Sequence, residues 1–156
     1  MTKVVATAQL CHRINPDLHL RAIPERFRRS SVPPVPGHRR QVVFACVDSI
    51  ATRRLVWQAL RNQAALFVDG RMSAEVVRVV TSPHPATDTA YPTTLFAAEE
   101  AYAGACTALS TIYAASIAAG LMVGQFTKWL RGLPFEPDVL MNLLALELTM
   151  PTHGTS

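Results

Sequence analysis

Four side chains in this 156-residue sequence stand where residue type and position suit chemistry: Asp48, Arg53, Lys3 and Cys106. Asp48 ends the apolar run Val42–Val47 and immediately precedes a helical pattern over Ser49–Asn62. In open α/β sheets, ligands sit beyond the carboxyl ends of the strands. A carboxylate there can hold a magnesium ion that bridges nucleotide phosphates, although an acidic residue before a helix is equally a good N-cap. Arg53 lies in the helix that follows, where a guanidinium can hold a phosphate or orient the carboxylate; the plainer reading is a surface arginine. Lys3 opens the first helical pattern, where a cation gains nothing from the helix dipole and an anionic ligand would account for it. Cys106 precedes a long uncharged stretch, and a thiol at a helix N-terminus is a better nucleophile. The alternative for Cys106 is a small buried hydrophobe, which is the reading given to Cys46 inside its strand. His12 and His38 have no Cys or Asp partner nearby in sequence, so no triad is expected.

The elements that must position these residues follow from periodicity. Residues 2–14 carry an apolar face at helical spacing and stop at Asn15-Pro16. Alternation over Leu18–Ala22 predicts a short strand, and the Pro- and Arg-rich stretch 24–40 a loop. Val42–Val47 is continuously apolar, as in strands covered on both faces. With the helix at 49–62 and a second buried strand at Ala65–Val68, closed by Asp69-Gly70, it reads as a βαβ unit. A further strand is expected at Glu75–Val80 and a loop at 82–94. Residues 101–127 contain no charged side chain, a span longer than the ~20 residues that cross a bilayer. Alanines and the polar Thr107, Ser110, Thr111, Ser116 and Gln125 dilute it, so a buried helix over 106–131 is expected, ending in the cationic turn and glycine of Lys128–Gly132. A membrane anchor is the competing reading of that stretch. Residues 139–148 form either a last strand or a short apolar segment.

Composition narrows the function classes. At 49% hydrophobic and 17% charged the chain is not intrinsically disordered. One domain over 1–150 with a tail at 151–156 is expected at this length. Three cysteines without paired spacing argue against a disulfide scaffold and for a reducing, cytoplasmic setting, and the scattered histidines against structural zinc. The segment after Met1 does not read as a secretory signal. The arginines at 26, 28, 29, 39 and 40 read as a solvated loop; without interleaved aromatics they do not predict nucleic-acid binding. None of the seven glycines precedes Gly37, and no phosphate-cradling G-x-G-x-x-G or G-x-x-x-x-G-K-[ST] loop occurs anywhere.

Three short segments, in order and at matching intervals, resemble the ThiF/MoeB family, the bacterial relatives of ubiquitin-activating enzymes. Lys3-Val4 followed by Arg13-Ile14-Asn15-Pro16 looks like the family's K-…-I-N-P helix. Val47-Asp48-Ser49-Ile50-Ala51-Thr52-Arg53 resembles its D-N-x-x-x-R stretch, and Cys106-Thr107 through Leu130-Arg131-Gly132 its cysteine-led helix. The resemblance implies an α/β, three-layer Rossmann-like fold with a mainly parallel sheet, truncated at the N-terminus. It also implies ATP-dependent adenylation of the C-terminal carboxylate of a ubiquitin-like or sulfur-carrier protein, with ATP and Mg2+ as cofactors. On that reading Lys3 contacts phosphates, Asp48 holds magnesium, Arg53 supports the site, and Cys106 serves a later thioester or persulfide step. A homo-oligomer or a partner chain is expected. Three departures stand against this: the Gly-rich nucleotide-binding half is missing, Ser49 replaces the usual asparagine, and the family's paired C-x-x-C zinc ligands are absent. The missing half is expected upstream, in a partner, or lost; in the last case the chain is a non-catalytic module that binds a ubiquitin-like protein or a family partner.

Overall fold

The run Gln41-Val-Val-Phe-Ala45 is apolar enough to be covered on both faces, and in the computed structural model it forms the first strand, β1 (Gln41–Ala45). The structure describes residues 1–32, 40–95 and 111–150. These fall into two compact units, Met1–Ser31 and Val32–Ser156.

In the first unit, α1 (Lys3–Ile14) begins after Thr2 and ends at Asn15, whose amide donates to the Cys11 carbonyl at 2.9 Å. None of its residues is buried. The strand expected over Leu18–Ala22 does not form; the chain is irregular there, and Leu18 and Leu20 are exposed. Alternation alone does not make a strand when no neighbouring strand satisfies its backbone groups.

The second unit continues from β1 through α2 (Ile50–Leu60), β2 (Ala64–Ser73), β3 (Val76–Ser82), α3 (Ala90–Thr93), α4 (Ile112–Leu130), β4 (Asp138–Asn142) and β5 (Glu147–Thr149). The strands form one sheet in the order β1-β2-β3-β4-β5. The α/β class is as expected, but the sheet is not mainly parallel: β1 and β2 run parallel, and each later pair is antiparallel. The β1–β2 connection carries α2 as its crossover helix, hairpins join β2 to β3 and β4 to β5 and force antiparallel pairing, and β4 pairs antiparallel with β3 after a long connection that includes α3 and α4. The ambiguous segment at 139–148 is accordingly the β4–β5 hairpin.

Helices cover both faces of the sheet. On one, Ala114, Ala118 and Met122 of α4 pack against Leu66, Val68, Val77 and Val79. On the other, Trp57 of α2 and Tyr91 of α3 meet Phe67, with ring centroids 4.2 to 5.1 Å apart. Such aromatic pairs add roughly 0.5–1.5 kcal/mol each beyond their buried area. The helix α3 lies within the stretch 82–94 expected to be loop.

Asp69-Gly70, expected to close the second strand, lies in its middle. The hairpin turn comes later, at Ala74, which takes a positive φ of 51°. Gly70 is there for packing: a Cβ on it would sit 2.5 Å from Met122 Sδ. Gly70→Val therefore overpacks the α4 face and costs about 1–3 kcal/mol in urea unfolding, the flexible methionine absorbing part of the clash.

Of the helix expected over 106–131, residues 106–110 lie outside the described residues. The helix starts after Thr111, whose hydroxyl accepts from the Ala114 amide at 3.4 Å. It stops as expected, with Lys128 in the last turn and Gly132 at a φ of 62°. Among the described residues no helix is long and apolar enough to cross a membrane.

Candidate functional site

The β1 chain leaves the sheet at Ala45 and runs through Cys46, Val47 and Asp48 to the start of α2. Ser49, not Asp48, caps that helix: its backbone is extended and its hydroxyl accepts from the Thr52 amide at 3.4 Å. The capping reading of Asp48 therefore does not hold. With the cap supplied next door, the exposed Asp48 carboxylate makes no hydrogen bond or ion pair among the described residues. Serine and asparagine cap about equally well, so the departure at Ser49 keeps the cap. Ser49→Ala is expected to cost about 0.5–1 kcal/mol in thermal or urea unfolding and to leave the Asp48 carboxylate in place.

Arg53 is not a surface residue. It is buried, with 5% of its surface exposed. One terminal nitrogen donates to Asp69 Oδ1 and, at 3.0 Å, to the Gly70 carbonyl; the other donates to the Val47 carbonyl. Burial, and then the neighbouring Arg71, push its pKa down to about 10, while Asp48 pulls it up; it stays cationic at neutral pH. No phosphate role is visible for a guanidinium turned inward onto these acceptors. What it does is tie the loop before Asp48 to strand β2.

Asp69, fully buried, is the centre of the arrangement. Besides Arg53 it accepts from Arg71 Nε at 2.7 Å and from the Tyr91 hydroxyl at 3.0 Å. Burial raises the Tyr91 pKa, ahead of the opposing pull of Arg71, so the hydroxyl stays protonated and able to donate. Arg71 continues to the Thr94 carbonyl and hydroxyl at 2.8 and 2.7 Å. Directly across the strand pair stands Arg78, held in bidentate fashion by Asp138 of β4 at 2.9 and 2.6 Å. Each of the two facing arginines thus has its own carboxylate.

Sequence reasoning missed Asp69, Arg71 and Tyr91. The available signal was a pair of charged residues at i and i+2 inside an otherwise apolar strand, which places both on one sheet face. Cys46 is exposed, yet burial of its thiol raises its pKa ahead of the lowering effect of Arg53, so it is not an activated nucleophile. Lys3 is the exposed first residue of α1 in the other unit, and Cys106 lies outside the described residues. A cleft of about 760 Å3 opens at the carboxyl end of β3, lined by Thr81, His84, Asp88, Tyr91 and Glu136 among others; neither Asp48 nor Arg53 lines it.

The donor set at Asp48 is one free carboxylate, and no cluster of three metal-ligating side chains exists among the described residues. That fits magnesium, which is often held through one or two carboxylates with phosphate and water completing its shell. A sequence model described as the ThiF family matches residues 1–153 of this chain. No curated protein matches it.

Proposed function

We propose that this chain, which belongs to the ThiF family, takes part in ATP-dependent adenylation of the C-terminal carboxylate of a ubiquitin-like or sulfur-carrier protein, with Asp48 as its magnesium ligand. The observation that carries this reading is the Asp48 carboxylate itself: exposed, past the end of a parallel strand, and released from capping by Ser49. A family of E1-like adenylyltransferases has use for such a group, whereas a surface carboxylate without one would serve equally well as the cap.

In the reaction, a carboxylate oxygen of the carrier attacks the α-phosphorus of ATP. The bond to the bridging oxygen of the β-phosphate breaks, and acyl adenylate and pyrophosphate result. Magnesium, when bound, neutralises phosphate charge. Asp48 holds it, and the inward-facing Arg53 keeps the Val47–Asp48 backbone fixed so that this ligand is in place beforehand. The chain itself contains no glycine-rich phosphate loop. By the family resemblance, Lys3 is a phosphate-contacting residue, and in a later step the Cys106 thiolate would attack the carbonyl carbon of the acyl adenylate, forming a thioester as the bond to the phosphate oxygen breaks and AMP leaves.

ATP–pyrophosphate exchange with candidate carrier proteins tests the reading. Exchange that requires both a carrier C-terminus and Asp48 supports it. Carrier binding that survives Asp48→Ala, with no exchange even when a glycine-rich ThiF half is added, replaces it with a non-catalytic interaction module. Cys106→Ala is expected to leave exchange intact while abolishing transfer to a sulfur or thiol acceptor, measured as loss of the covalent carrier adduct.

A further inference from the structure

The proposed reaction gives Asp69 no role, yet this carboxylate is the one group that Arg53, Arg71 and Tyr91 all share. It is fully buried, and burying a charge is costly unless the geometry around it is well satisfied. Three side chains satisfy it, Arg53, Arg71 and Tyr91. Their other bonds reach outward to backbone on two sides: Arg53 to the Val47 carbonyl, one residue before Asp48, and Arg71 to the Thr94 carbonyl after α3. Arg54, next along α2, donates to the adjoining Leu95 carbonyl at 2.9 Å. An apolar residue at 69 would fill the strand without this cost, but it would leave that arm of Arg53 with the Gly70 carbonyl as its only acceptor among the described residues and no counter-charge.

We propose that Asp69 is the positioning residue of the Asp48 site. By holding one arm of the Arg53 guanidinium it directs the other arm onto the Val47 carbonyl and so fixes where the Asp48 carboxylate emerges. A guanidinium suits this task because its planar fork presents donors at a fixed angle, so that one acceptor determines where the second donor points. The inference rests on the reading of Asp48 as a cation ligand.

The experiment uses the full chain labelled with 15N, and Mn2+ with ATP as a paramagnetic stand-in for the magnesium nucleotide. Asp69→Asn keeps the shape and removes the charge. The expected result is a fall in the order parameters of the Val47 and Asp48 amides from about 0.85 to below about 0.6, with those of Phe67 and Val79 in the sheet unchanged. Mn2+–ATP binding is expected to weaken by about 10–100-fold, as when an outer partner of a metal ligand is lost. Unchanged order parameters at Val47 and Asp48 in folded Asp69→Asn overturn the proposal. If that variant does not fold, Arg53→Lys decides by the same readout: an ammonium cannot bridge Asp69 and Val47 at a set angle, so the loop is expected to loosen, and a rigid loop overturns the proposal. Wild-type affinity for Mn2+–ATP no greater than that of Asp48→Ala defeats the metal-ligand reading instead, and the order parameters then decide alone whether Asp69 sets the loop.

Discussion

Asp48→Ala is expected to lower the rate of ATP–pyrophosphate exchange by about 10^2–10^3-fold, the loss usual when one preorganised group facing developing charge is removed. The same substitution is expected to leave the urea midpoint where it is. Two structural facts separate the effects. The Asp48 side chain is exposed and makes no hydrogen bond among the described residues, so its removal loses only a solvent-screened attraction to Arg53. The helix behind it keeps its cap, because the Ser49 hydroxyl and not the Asp48 carboxylate meets the free amide of Thr52. A marked drop in stability accompanying the loss of exchange contradicts this account, since it would show Asp48 engaged in the fold. Exchange that persists in the variant contradicts the assignment of the metal to Asp48.

The opposite pattern is expected at Asp69. Asp69→Ala leaves the buried guanidinium of Arg53 and the largely buried one of Arg71 without their shared counter-charge, and the Tyr91 hydroxyl without its acceptor. Breaking one side of a buried ion pair costs about 3–5 kcal/mol. Folded domains are stable by only about 5–15 kcal/mol in total, so the variant stands near the edge of unfolding at ordinary temperature. Urea titration followed by the fluorescence of Trp57, which packs against Tyr91 and Phe67, reports the loss directly. The double variant Asp69→Leu with Arg53→Met, which removes the carboxylate together with the more deeply buried of its two arginines, is expected to recover part of the stability while losing the tether on Val47, Arg71 staying without its counter-charge. That recovery marks the cost as one of an orphaned charge and not of lost packing.

What the sequence disclosed, and what it withheld, follows from the range of the interactions. The apolar run before Asp48, the helical spacing after it and the Lys128–Gly132 stop are local patterns, and each led to an element in nearly the right place. The direction of pairing is not local. Val76–Ser82 is as apolar as a parallel strand would be, and only the short hairpin before it makes it antiparallel. Asp69-Gly70 was misread for a related reason. Aspartate followed by glycine is a standard hairpin signal, but here the glycine admits Met122 from α4 and the aspartate pairs with residues 16 and 22 positions away. Neither partner can be read from the neighbourhood of residue 69. Helical spacing puts Arg53 on α2 but does not disclose its burial, because it says which face a side chain takes and not what waits opposite.

One consequence of this division between open and enclosed charge concerns electrolyte. Dissolved ions attenuate attraction between groups in contact with water over about 8–10 Å at ordinary ionic strength, and barely affect pairs sealed from it. If Asp48 holds a divalent cation as proposed, raising potassium chloride is expected to weaken that hold while the Asp69 cluster stays intact. The affinity falls as the loop keeps its shape, so a simple salt series distinguishes a blunted ligand from a displaced one.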